Sequence, residues 1–514
     1  MRSSLAELSG VADPSRVAVD DGERQLSWRE LDDATTRFGR GVEALGATPG
    51  SHVAICVSNR WEFVVALIGA WRAGCAYTPL KTGWTSAEVD AVLSDAGTAV
   101  VVADRDGARE AAYERGVPIV DLDDPGFASW LGSQSAEPFG EDRCGYKMPY
   151  TSGTTGRPKG VVMRGSGTTP FAAGWAGIAY WAEQLELPGA GVHLFGSRLF
   201  NGAPQTFGFG ALARGATLRV MRRWDAAVAL TELRRPDVTS TIMVPTMFRQ
   251  ILALPADLRG VEPPPSLRTV LHGGEPCPLP VKEAISHVLG DVLVEYYGFT
   301  EGGMTIVRRD EWRARPGTVG RPLPGLEVRI LDDAGQSVDA GSDGTVYFVP
   351  SKGRMFRYQG DETKTEGAHV GDAFTVGDIG HLDSDGFLYL SGRAADVVVS
   401  AGVNVYPAEI DQALSDVPGV ADLAAVGAPD DERGEVIILF VQLVPDADEA
   451  TVRNNLEATA AERLAPYKRP RAIEIIDEIP RDQTGKLLRR LLRDRLWQGR
   501  SQFVAKSDGS SDPA

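Results

Sequence analysis

Short apolar runs alternate with helical stretches through the first two thirds of the chain, and this alternation limits the possible folds more than any other feature. Residues 52–57 (HVAICV) and 99–103 (AVVVA) have the length and β-branched content of short buried strands. Between them, residues 62–71 (EFVVALIGAW) read as a buried helix. Upstream, Ser27-Trp28-Arg29-Glu30 has the form of a capping box. Leu31, Ala34, Phe38, Val42 and Leu45 follow at helical spacing, and Gly46 can stop that helix. Further strand candidates are residues 217–221 (TLRVM), 240–244 (STIMV) and 267–271 (LRTVL). Strand–helix alternation at this spacing predicts βαβ units around a mostly parallel sheet.

From about Gly317 the texture changes. Turns rich in Asp and Gly, such as residues 331–335 and 383–386, separate short alternating runs at 344–349 and 387–390. This predicts a β-rich subdomain with tight turns. After Arg393 the pattern becomes α+β: a helix over 407–414, a strand over 436–443 and a helix over 449–464. The domain boundary is placed near Arg393–Asp396, giving an N-terminal domain 1–393, a C-terminal domain 394–500 and a polar, disordered tail 501–514. The fold class is α/β, with a large N-terminal domain of βαβ-type subdomains plus a β-rich subdomain, and a small C-terminal α+β domain.

Charge narrows the function. Lys plus Arg number 53 against 70 Asp plus Glu, a net charge of −17. Such a surface repels phosphate backbones, so nucleic acid is not an expected partner. No apolar run is long enough to span a bilayer, and residues 1–17 lack the apolar core of a signal peptide. Cys56, Cys75, Cys144 and Cys277 are widely spaced, as in a reduced cytoplasmic protein. Against this acidic background, residues 463–495 hold ten Lys or Arg and five Asp or Glu, a basic segment able to attract phosphates.

The sharpest local signal is Tyr150-Thr151-Ser152-Gly153-Thr154-Thr155-Gly156-Arg157-Pro158-Lys159-Gly160. Its glycines let the backbone turn N–H groups onto a ligand, its hydroxyls add donors, and Arg157 and Lys159 add positive charge. The loop suits a polyphosphate, but it is not a Walker A loop, since no Gly-Lys-Ser/Thr follows.

This segment resembles the phosphate-binding signature of the adenylate-forming superfamily, which includes acyl-CoA synthetases, peptide-synthetase adenylation domains and luciferases. Five further segments resemble that family's motifs in the same order. His272-Gly273-Gly274-Glu275-Pro276 resembles the adenine-side loop, and Tyr296-Tyr297-Gly298-Phe299-Thr300-Glu301 the YGxTE motif. Thr375-Val376-Gly377-Asp378, followed by Gly386-Phe387-Leu388-Tyr389 and Gly392-Arg393, resembles the ribose and hinge region. Residues 401–409 (AGVNVYPAE) resemble the loop lining the thiol channel, and Pro480 to Lys486 the C-terminal lysine motif.

The resemblance implies ATP, Mg²⁺ and CoA as cofactors and a small-molecule carboxylic acid as substrate. Lys486 is implied to bridge the acid and the α-phosphate, Thr300 to contact that phosphate, and Glu301 to ligate Mg²⁺. Thr151, Ser152, Gly153, Thr154, Thr155 and Lys159 are implied to cradle phosphates. Gly273, Gly274, Glu275, Pro276 and Tyr297 are implied to receive adenine, Asp378 the ribose hydroxyls, and Arg393 ribose or phosphate oxygens. The acid pocket is expected to involve Phe200, Asn201, Met243, Gly302 and Met304, and the CoA channel Ala401 and Gly402. The small C-terminal domain is implied to be mobile, turning to present a second face for thioester formation.

The sequence departs from the family pattern at Ala395, where the hinge often carries Asp or Lys, and at Ala401, where the channel loop often carries Gly. Asn201 stands at an apparent His position before a small-residue–Pro step. The function implied is activation of a hydrophobic, aromatic or alicyclic acid to an acyl-adenylate and transfer to CoA. The alternatives keep adenylation and change the acceptor or the acid: carrier-protein loading, amide formation, or nitrite activation for aryl-amine diazotisation. A nucleotide-binding protein without turnover is the reading of a different class. A carrier protein or a second copy of the chain is the macromolecular partner considered.

Overall fold

The computed structural model describes residues 4–140, 142–151, 158–260, 262–350, 355–400, 403–430, 433–481 and 487–497. The chain divides into two units, residues 1–376 with 381–389, and residues 377–380 with 390–514.

In the first unit, the strands Ile119–Asp121, Thr98–Ala103, His52–Cys56, Ala76–Pro79 and Tyr146–Lys147 form a parallel sheet in that order. A second sheet begins Gln25–Ser27, Val17–Asp20, Thr217–Val220, Val192–Phe195, Val238–Met243, Thr269–Gly273 and Leu293–Gly298. From Val17–Asp20 to Leu293–Gly298 its neighbours are all parallel. Met304–Val307 and Thr318–Pro322 then extend it antiparallel.

One core serves both sheets. The helices Trp28–Ala44, Trp61–Arg72, Phe171–Gln184 and Gly202–Ala213 contribute Phe38, Phe63, Trp175 and Phe207 to it. Every residue of Trp61–Arg72 is buried, which is why the segment is apolar all round between Glu62 and Arg72. The capping box of Ser27 and Glu30 forms as its spacing predicts, with each side chain bonded to the other's backbone N–H. On the other face of the second sheet, Met243, Phe248, Leu230 and Ile285 form a separate core.

The β-rich part pairs Leu326–Leu331 with Gly344–Pro350 antiparallel. The Asp-rich turns close by side-chain capping: Asp332 Oδ1 accepts from Ala334 N and Gln336 N, and Asp383 Oδ1 from Asp385 N and Phe387 N. A small sheet joins Tyr150–Thr151, Lys159–Met163 and Phe356–Tyr358.

The second unit is α+β. Its sheet order is Val403–Val405, Val398–Ser400, Gly434–Leu443 and Val420–Asp430, with Ala472–Ile475 parallel to Gly434–Leu443. Alternation along Val420–Asp430 decides which helix covers which face. Leu423 and Ala425 share a core with Ile410 and Leu414 of Pro407–Leu414 and Leu456 of Glu449–Arg463. Ala424 and Val426 pack with Leu492 of Arg489–Leu496. No helix among the described residues is long and apolar enough to cross a membrane.

Candidate active site

Parallel strands with crossover helices leave a crevice at the carboxyl ends of the strands, where loops can gather around a ligand. Two motif-bearing strands of the second sheet end there. The strand expected over 267–271 is Thr269–Gly273, so the first glycine of the His-Gly-Gly motif is the last residue of a strand. A Cβ on Gly273 would fall 2.2 Å from the carbonyl oxygen of Tyr296 on the neighbouring strand, so only glycine fits. Glu275 then accepts a 2.6 Å hydrogen bond from Thr246 N, tying this loop to the first turn of the helix Pro245–Leu252. Gly274 has a φ of 84°, and Pro276 is exposed.

The next strand, Leu293–Gly298, ends in a tight turn to Met304–Val307. Gly302 N donates to Phe299 O, and a Cβ on Gly303 would meet the Phe299 ring at 2.3 Å. This turn carries Thr300 and Glu301. Glu301 is buried, at 7% exposure, and its Oε1 accepts a 2.9 Å hydrogen bond from the Tyr358 phenol. Burial and the neighbouring Glu301 carboxylate push the Tyr358 phenol well above its usual range, which keeps it a donor. Oε2 of Glu301 has no hydrogen-bond partner among the described residues. Tyr297 is half-buried and lies edge-on to Phe299, ring centroids 5.9 Å apart.

Tyr358 belongs to the strand Phe356–Tyr358, which pairs with Lys159–Met163. Lys159–Met163 in turn pairs with Tyr150–Thr151. The glycine-rich segment therefore links two antiparallel strands, and the third strand of the same sheet delivers a side chain to Glu301. Asp361, just past that strand, forms a 2.7 Å ion pair with Lys159. Ser152, Gly153, Thr154 and Thr155, and the side chain of Thr151, lie outside the described residues.

A metal fits this arrangement in one form. Among the described residues no group of three or more His, Cys, Asp or Glu side chains could cage an ion. Glu301 offers one open carboxylate oxygen beside the glycine-rich strands, and Mg²⁺ is commonly held by one or two carboxylates together with substrate phosphates.

Of the expected acid-pocket residues, Phe200 and Met304 join the core between the two sheets, with Phe207 edge-on to Tyr296 at 4.9 Å. Asn201 is half-buried at the N-cap of Gly202–Ala213, and its side chain makes no cap hydrogen bond. A Cβ on Gly302 would touch Met163 at 3.1 Å. Met243 is not brought to these residues. It is fully buried in the core on the other face of the sheet, because it follows Ile242 on a strand and the pleat turns successive side chains to opposite faces.

In the second unit, Asp378 is buried and pairs with the half-exposed guanidinium of Arg393 at 2.9 Å. The two residues expected to receive the ribose thus meet each other. Ala401, Gly402 and Lys486 lie outside the described residues. The flanks of Lys486 are described: Arg481 pairs across an antiparallel bridge with Leu487, and Leu488 N bonds Pro480 O at 2.8 Å. Arg481 itself is clamped by both oxygens of Asp422, at 2.6 and 2.8 Å.

Sequence reasoning passed over Tyr358, Asp361, Asp422 and Lys147. The signal for Tyr358 was the alternation of Phe356 and Tyr358 ahead of Asp361, a strand running into a helix cap. For Lys147 it was a lysine inside an otherwise uncharged strand-like run, residues 145–150 (GYKMPY).

Comparisons with known proteins bear on the family and the fold. A family model described as AMP-binding enzyme matches residues 8–353, and one described as AMP-binding enzyme C-terminal domain matches residues 409–486. The chain is 31% identical to the fatty acid–acyl-carrier-protein ligase ScoC of Streptomyces coeruleorubidus, covering 94% of each chain. It is 30% identical to the long-chain-fatty-acid–CoA ligase FadD13 of Mycobacterium tuberculosis, covering 92% of this chain and 93% of that one. Among solved structures, ATP-bound MatB from Rhodopseudomonas palustris superposes with a TM-score of 0.85 at 26% identity, covering 97% of this chain and 99% of that chain. Motifs, fold and family models coincide along nearly the whole sequence: the chain belongs to the AMP-binding enzyme family, within the adenylate-forming superfamily, and is an AMP-forming ligase.

Proposed function

We propose that the protein activates a hydrophobic, aromatic or alicyclic carboxylic acid as its acyl-adenylate and transfers the acyl group to the thiol of CoA. The buried Glu301 carboxylate, beside the strands that flank the glycine-rich segment and held by Tyr358, carries the reading. The CoA acceptor is supported by the similarity to FadD13, itself a long-chain-fatty-acid–CoA ligase.

In the first step a carboxylate oxygen of the acid attacks the α-phosphorus of ATP, and the bond to the pyrophosphate oxygen breaks. Negative charge shifts onto the leaving pyrophosphate, so the protein's task is positioning and charge stabilisation. Lys159 and residues 151–155 hold the leaving phosphates. Thr300 contacts the α-phosphate, and Lys486 bridges it to the acid with a compact point charge. Glu301 would hold Mg²⁺, which would supply charge neutralisation on the phosphates. Gly273, Gly274 and Tyr297 receive adenine, with Glu275 and Pro276 shaping the loop; Asp378 and Arg393 hold the ribose.

In the second step the thiol sulfur attacks the acyl carbon and AMP leaves. Residues 394–500 act as the mobile domain on a boundary near Arg393, withdrawing Lys486 and offering the channel formed by Ala401 and Gly402. A second acceptor, a carrier-protein thiol, is favoured by one observation, the 31% identity to the acyl-carrier-protein ligase ScoC.

Acid-dependent exchange of labelled pyrophosphate into ATP tests the first step. Exchange with at least one fatty, aromatic or alicyclic acid is expected. Exchange with no acid of the panel, from protein that binds ATP, would leave a nucleotide-binding protein without turnover.

A further inference from the structure

Lys147 lies on the strand Tyr146–Lys147, in register with Tyr77 of the strand Ala76–Pro79. Lys147 is half-buried, and its ammonium donates to Gly202 O at 3.0 Å and to Thr206 Oγ1 at 3.3 Å. Thr206 Oγ1 spends its own proton on the same Gly202 carbonyl, at 2.9 Å. Both partners are neutral. Among the described residues no carboxylate stands within ion-pair distance of this lysine, whereas Lys159, Lys282 and Lys468 each have one. Burial alone acts on the ammonium, and it pulls the pKa down to about 7.

An ammonium drawn partly out of water with no carboxylate partner has a cost that packing does not require, since an apolar side chain would fill a strand position better. One of its three N–H donors is also unspent. The surroundings add to its charge. Gly202 and Thr206 belong to the first turn and a half of Gly202–Ala213, whose N-terminus carries the positive end of the helix dipole. Asn201 caps that helix without using its side chain, so its amide remains available to a ligand. A cavity of about 30 Å³ opens beside Thr206 between Trp71, Tyr77 and Phe209, room for a substituent of one or two heavy atoms against aromatic walls.

The Lys147 ammonium thus meets the first turn of Gly202–Ala213, which directly follows Phe200 and Asn201, the residues assigned to the acid pocket under the ligase reading. We infer that Lys147, with Asn201 and Thr206, forms a polar subsite that receives a second anionic oxygen on the acid being activated, so that the preferred substrates carry a carboxylate or phenolate remote from the reacting carboxyl. The inference rests on the ligase reading above, because it assigns Asn201 to the acid pocket. It also explains why Asn201 needs no charge of its own: the charge sits on Lys147.

The test compares matched acids on fatty, aromatic and alicyclic skeletons, each with and without a remote carboxylate or hydroxyl. Binding to the full-length protein is followed by calorimetry and turnover by pyrophosphate release. Wild-type protein is expected to favour the oxygen-bearing member on at least one skeleton by about tenfold or more, since a site built around a polar group rejects the analogue lacking it. Lys147→Met should collapse that ratio toward one. A preference that survives Lys147→Met, or no preference on any skeleton, overturns the inference. If Lys147→Met does not fold, Lys147→Gln and Thr206→Val carry the same comparison. A binding preference without acid-dependent pyrophosphate release contradicts the ligase reading alone; release without a preference contradicts the subsite alone.

Discussion

The phenol of Tyr358 donates a 2.9 Å hydrogen bond to Oε1 of Glu301, and Tyr358 lies on the strand that pairs with Lys159–Met163. One small sheet thus fixes both the exit of the glycine-rich segment and the orientation of the carboxylate proposed to hold Mg²⁺. The phenol occupies one carboxylate oxygen and leaves the other for a metal.

Glu301→Gln should lower the rate of adenylation by about 10²–10³-fold. Tyr358→Phe, which removes only the supporting bond, should raise the Mg²⁺ needed for half-maximal pyrophosphate release by about tenfold. An unchanged Mg²⁺ dependence in Tyr358→Phe would separate the phenol from the metal.

Lys159 is held by Asp361 at 2.7 Å, and Asp361 also caps the helix Glu362–Gly367 through Lys364 N. To reach a phosphate, Lys159 must leave that carboxylate. Asp361→Asn keeps an acceptor for the cap while releasing the lysine, so KM for ATP should fall about two- to fivefold, within what a partly exposed ion pair is worth. Lys159→Ala should raise it. A rise in KM for Asp361→Asn would mean that the pair pre-positions Lys159 for ATP.

Asp378 and Arg393 meet at 2.9 Å. Asp378→Ala removes the proposed acceptor of the ribose hydroxyls, so ATP affinity measured by calorimetry should drop about tenfold or more while acid affinity changes far less. Equal losses for the two ligands would remove the ribose role.

The clamp of Arg481 by Asp422 holds one flank of Lys486. Lys486→Ala should abolish adenylation and leave thioester formation from preformed acyl-adenylate. Asp422→Ala should act in the same direction more weakly, by about tenfold on adenylation. Equal loss of both steps in Lys486→Ala would contradict the use of two faces by the C-terminal domain.

Much of the fold was legible in the sequence because burial wrote it there. Residues 63–71 are apolar on every side because the helix Trp61–Arg72 is buried on every side. The capping box at Ser27 and the Asp turns near 332 and 383 are local hydrogen bonds, readable without tertiary knowledge. Candidate site residues could be named from sequence only where a motif fixes both residue and spacing, as at Glu301 and Asp378. The face that Met243 takes was not legible, because the face of a buried strand residue depends on registration with neighbouring strands, and a strand buried on both faces has no polar alternation to reveal it. Tyr358, Asp361 and Asp422 escaped because each acts on a partner far away in the chain.

Lys147 gives a prediction on stability. Its pKa lies at about 7 in the folded protein and near about 10.4 in the unfolded chain. Between these values the unfolded state binds more protons, so this residue's contribution makes stability rise with pH. Below about pH 7 both states are protonated and the penalty of the buried charge is complete. Lys147→Met should therefore stabilise the protein by about 1–3 kcal/mol near neutral pH and below, with the difference shrinking toward about pH 10. Paired thermal melts across that range check it; a constant difference would place the ammonium in water.

The central claim is a two-step ligase that passes its acyl group to CoA. Pyrophosphate release from ATP and Mg²⁺, measured across fatty, aromatic and alicyclic acids with and without CoA, tests it most directly. The account predicts turnover with at least one acid class that depends on CoA and yields AMP and an acyl-CoA in equal amounts. Turnover indifferent to CoA, with the acyl group remaining as adenylate, would contradict it and assign the acyl group to another acceptor.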